Sequence, residues 1–153
     1  MTTTTLKDRL RTDLTAAIKG RDELRAAALR MALAAITNEE VSGVAARTLS
    51  DAETVTVINR EVKKRREAAE AFAGAGRDEQ AARERAEGEV LSHYLPAQLT
   101  DDELSALVAD AIAETGAAGP KSMGLVMKAL NPKIAGRAEG ARVAGAVKAA
   151  LGG

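Results

Sequence analysis

At 153 residues the chain is long enough for one compact domain, or two small ones, with a real core. It has no cysteine, which removes disulfides, thiolate catalysis and Cys-ligated metals together, and its 22 basic and 22 acidic residues cancel. One Phe and one Tyr are the only aromatics; Ala, Leu, Val, Ile and Met supply the apolar content, and small helix-forming side chains of this kind let helices approach closely. The opening MTTTTLKDRL contains no apolar signal region and no stretch reaches spanning length, so a soluble, cytoplasmic, all-α protein without membrane association is expected.

The first helix is expected from about Thr4 to Ile18, where Leu6, Leu10, Leu14 and Ile18 recur every four residues as one apolar stripe, with Gly20 as its stop. Asp22 is placed to cap a second helix that runs to about Val41, and its apolar residues spread around enough of the cylinder to pack on two neighbours. Ser42 to Leu49 reads as a loop. Ser50 with Glu53 forms a capping-box signature for the third helix, whose stripe is Val55, Ile58, Val62, Ala69 and Phe72, closed by Gly74 and Gly76. Asp78 is expected to cap a fourth helix running to about Tyr94, with Ala82, Ala86, Val90 and Tyr94 inward. Short connections favour two antiparallel pairs.

Pro96 breaks the pattern. Thr100 and Glu103 then form a second capping box, opening a helix with Leu104, Leu107, Val108, Ala111 and Ile112 on one stripe. Gly116 to Gly119 make a turn, Pro120 suits the first position of a helix that ends at Asn131-Pro132, and Gly136 and Gly140 frame the connection to a last helix carrying Val143, Val147 and Leu151. The expected organisation is a helical N-terminal domain of about four helices, residues 1–95, followed by a small three-helix tail domain, residues 96–153.

No phosphate-binding GxxxxGK[ST], GxSxG elbow or HExxH is present, and the lone His93 reads as a helix-end or surface residue. No catalytic residue, metal site or cofactor is therefore expected. Lys63-Lys64-Arg65-Arg66 wraps the third helix among Glu61, Glu67 and Glu70, with Arg65 or Arg66 expected to snorkel from the buried side. The tail differs. The helix after Thr100 holds five acids and no base, whereas the residues after 115 hold six bases and one acid, Glu139. Lys121, Lys128, Lys133, Arg137 and Arg142 are the candidate phosphate contacts; with so few aromatics, base stacking contributes little to this reading.

The stretches LKDRLRTDLTAAIKGRDELRAAALRMALAAI, EVKKRREAAEAFAGAGR, YLPAQLTDDEL and IAETGAAGPKSMGLVMKALNPKIAGRAEGARV together resemble the YqeY-like proteins of the GatB/YqeY family over essentially the whole chain. The resemblance implies a helical N-terminal domain and a tail similar to that of the B subunit of tRNA-dependent amidotransferase, which contacts tRNA. In that enzyme glutamine hydrolysis and ATP-dependent activation belong to parts with no counterpart here. The leading expectation is thus a stand-alone module binding tRNA or another structured RNA by backbone contacts. Two alternatives stand beside it: an amidotransferase-like carbon–nitrogen ligase with glutamine as amido donor, implied by the resemblance alone, and an adaptor docking on a protein partner.

Overall fold

The computed structural model describes residues 4–152; residues 1–3, which include two of the opening threonines, and residue 153 lie outside it. Among the described residues there are seven α-helices, one 3₁₀ turn and no strand. The helices are α1 (Leu6–Lys19), α2 (Glu23–Glu40), α3 (Asp51–Gly74), α4 (Asp78–Ser92), α5 (Asp101–Thr115), α6 (Met123–Ile134) and α7 (Gly140–Ala150), with the 3₁₀ turn at Pro120–Ser122. No helix is long and apolar enough to cross a membrane. The chain divides into two compact units, Met1–Leu95 and Pro96–Gly153.

In the first unit the starts of α1 and α3 are fixed by capping boxes, Thr5 with Asp8 and Ser50 with Glu53, and Asp22 caps α2 through the Arg25 amide. Each satisfies amides that the first helical turn leaves without partners. Asp78 does not cap α4. It is the first helical residue, and Arg77 occupies the cap without a side-chain bond. The core joins Leu6, Leu10, Leu29, Ile36, Ile58, Leu91 and Tyr94, with α2 packed on α1, α3 and α4.

The every-four stripes overshoot. Each four-residue step turns about 40° past a full helical turn, so a stripe read at that spacing drifts off the buried side. In α1 Ile18 is therefore 50% exposed while Ala17 is buried; in α4 Ala82 is exposed, and Ala81, Gly88 and Leu91 are buried. Gly88 is what allows α3 and α4 to close: a Cβ there would lie 3.3 Å from Arg65 Cβ.

The second unit packs Leu104, Val108 and Ala111 of α5 against Val126, Leu130 and Ile134 of α6 and Val143 and Val147 of α7. Thr100 and Glu103 make the capping box that starts α5. Leu99, also in this core, donates its amide to the Arg137 carbonyl at 2.7 Å, tying the segment before α5 to the α6–α7 loop. The helix after Pro120 begins with the 3₁₀ turn and continues through Pro132 to Ile134, rather than ending at Asn131. A proline in the last turn forgoes a single intrahelical donor, so the helix survives it. Ala135 then stops it in the left-handed region, at φ 47°. Gly140, expected in the connection, is the first residue of α7.

Candidate nucleic-acid interface

The tail cations divide into three groups once their neighbours are known. Lys121 on the 3₁₀ turn and Lys128 on α6 are exposed and form no ion pair with any described residue. They share an exposed face with Gly124, Leu125, Asn131 and Pro132, and α6 contains no carboxylate. Lys121 and Lys128 are two turns apart, about 10 Å along the axis. Leu125 between them is 52% exposed.

Lys133 and Arg142 are paired within the same unit. Lys133 Nζ lies 2.9 Å from Glu114 Oε2, and Arg142 Nη2 lies 2.8 Å from Asp101 Oδ1. Both carboxylates belong to α5, one at each end of it.

Arg137 turns back on its own chain. Its Nη2 donates to the Lys133 carbonyl at 3.0 Å and its Nε to the Ile134 carbonyl at 3.4 Å. These are carbonyls of the last turn of α6, where the helix dipole favours a cation. Arg137 therefore caps α6, and it lies near enough to Glu103 to help hold that carboxyl below its usual range, chiefly an effect of the Thr100 amide that Glu103 accepts from. Lys148, exposed on α7, is a third unpaired cation that the sequence-based site omitted. The sequence thus groups five cations that the fold does not present alike.

Three members of the basic run of the first unit face acids. Lys63 lies 3.9 Å from Glu67, Lys64 3.4 Å from Glu61, and Arg65 3.0 Å from Glu84. Arg65 is the member that snorkels: its side chain is 20% exposed and its stem rests over Gly88. His93 is the exposed C-cap of α4, 3.2 Å from Glu89.

One polar cluster had no sequence signal beyond a lone aromatic before a proline. Tyr94 is 6% exposed at the end of α4. Its hydroxyl donates to Asp13 Oδ2 and accepts from Arg25 Nη2 at 3.1 Å, and the Arg9 guanidinium sits 5.2 Å from the ring centroid. Burial, then the Asp13 carboxylate, push the phenol up to about 12. The cluster joins α1, α2 and the end of α4.

No group of three or more His, Asp or Glu side chains is placed to hold a metal among the described residues. Fold and surface together define an all-α protein of two compact units, with an uncompensated cationic face on α6. The family model described as Yqey-like protein matches residues 7–151, and the chain belongs to that family. No curated protein matches it.

Proposed function

We propose that the chain is a stand-alone binding module whose second unit docks on structured RNA, in the first instance tRNA, through phosphate contacts. The observation that carries this reading is the α6 face: Lys121 and Lys128 are exposed and unpaired, and no carboxylate on α6 offsets them. The similarity of the tail to the tRNA-contacting tail of the amidotransferase B subunit supports the choice of RNA. Phe72 and Tyr94, the chain's two aromatics, both belong to the first unit, Tyr94 buried and Phe72 half-buried. Recognition would accordingly follow backbone and helical shape rather than stacked bases. A protein-docking adaptor is the weaker reading, because two of the five α5 carboxylates already face cations of their own unit.

The test compares neutralised pairs. K121Q/K128Q and K63Q/K64Q remove equal charge, and neither touches the cap made by Arg137. Fluorescence anisotropy with tRNA across a salt series should show weaker binding for the tail variant and a shallower slope of log K against log salt, by about 0.7 to 0.9 for each lost contact. The α3 variant should bind nearly as wild type. Wild-type binding by the tail variant, or equal loss from both, refutes the assignment.

A further inference from the structure

We propose that Asp101 and Glu114 are competitors for RNA built into the tail, each holding a cation that the RNA must take over before the unit binds at full strength. This rests on the RNA-docking reading above. Arg142 and Lys133 are two of the five cations the sequence groups as phosphate contacts, and each is held by one α5 carboxylate at 2.8 and 2.9 Å. The carboxylates are themselves open to solvent, Asp101 94% exposed and Glu114 60%, so neither pair is locked by burial. Exposed pairs of this kind are weak and exchangeable, and a polyanion with many phosphates can displace them.

The placement adds selectivity. Asp101 and Glu114 are thirteen residues apart on one helix, about 20 Å along its axis and about 140° apart around it. Only a polyanion large enough to wrap around the unit can reach both held cations, whereas a mononucleotide engages one at most. Asp101 and Glu114 would therefore favour large structured RNA over small phosphates by making partial contact unrewarding.

The experiment uses the full chain and tRNA. D101N/E114Q removes both competitors, and D102N/D110N removes the same charge from the same helix at carboxylates with no ion pair among the described residues. Both variants lose one acid from the first turn of α5, so effects at the helix start are matched, and thermal melting checks that each folds and measures what removing Glu114 from the last turn adds. D101N/E114Q is expected to bind roughly two- to thirtyfold more tightly, the range that loss of two exposed pairs allows, and D102N/D110N distinctly less so. The salt slope of D101N/E114Q should also steepen, by up to about 0.7 to 0.9 per freed cation. Equal tightening in both variants shows a general field effect and overturns the inference. Wild-type binding with no gain in D101N/E114Q overturns it alone, and absence of binding by all three proteins removes the RNA reading and the inference with it.

Discussion

Tyr94 is the chain's one tyrosine, so its ionisation can be followed directly through the ultraviolet absorbance of tyrosinate. An ordinary tyrosine titrates near pH 10, whereas burial and the Asp13 carboxylate place Tyr94 at about 12. A phenol whose folded pKa is raised contributes stability that is fully present below the unfolded value and is lost as pH rises through the folded one. The window is therefore pH 10 to 12, where unfolding releases the Tyr94 proton. Removing the hydroxyl tests the same cluster at neutral pH. Tyr94→Phe deletes one donor to Asp13 and one acceptor for Arg25. Hydrogen bonds to charged groups are worth about 1.5 to 3 kcal/mol. Asp13 and Arg25 still face each other at 3.7 Å, and each is about a third or more exposed, so solvent recovers part of that loss. The expected cost is about 1 to 2 kcal/mol in urea unfolding, with alkaline destabilisation between pH 10 and 12 reduced relative to wild type. A native tyrosinate midpoint near that of the urea-unfolded chain would refute the cluster, as would a Tyr94→Phe cost below about 0.5 kcal/mol.

Two glycines in helices should respond oppositely to alanine. Gly145 in α7 has open space where a Cβ would go, so Gly145→Ala should stabilise by about 0.5 to 1 kcal/mol in thermal or urea melts. Gly88→Ala gains the same propensity but sets a Cβ 3.3 Å from Arg65 Cβ, an atom fixed to the α3 backbone, so the gain should be cancelled or reversed; equal stabilisation by both would show that the α3–α4 approach constrains nothing. If the two units are separately folding domains, limited proteolysis should cut first at Pro96 to Gln98, ahead of the buried and hydrogen-bonded Leu99. First cuts inside a helix of either unit would contradict that division.

Much of the fold was legible because its signals are local. Capping boxes at Ser50 and Thr100 and the cap at Asp22 need residues three apart, and the structure uses all of them. Helix existence followed from apolar recurrence, but the buried edge of each helix did not. Tertiary neighbours decide that edge, which is why Glu61 and Glu87 are buried and Ala82 is not. Gly88 reads in sequence as a weakness in α4 and in the fold as the point of closest approach to α3. Pro132 reads as a stop, yet it falls late enough in α6 that the helix runs past it.

The candidate site was legible as a charge count and not as a surface. Residues 96–153 hold six bases and six acids, so the unit has no net charge and any polyanion must respond to pattern. Pattern depends on partners far apart in the chain: Asp101 meets Arg142 across 41 positions and Glu114 meets Lys133 across 19. No helical periodicity reports such pairs, because they arise from the order in which α5 touches α7 at one end and α6 at the other. Arg137 is lost from the surface for a different and local reason: the chain turns at Ala135 and returns its guanidinium to the end of α6. What is left uncompensated among the described residues is Lys148 on α7 and the stretch from Lys121 to Lys128, where the sequence supplies no acid. On this account the tail's affinity for phosphate is set less by how many cations it carries than by how many of them the packing of α5 leaves without a carboxylate.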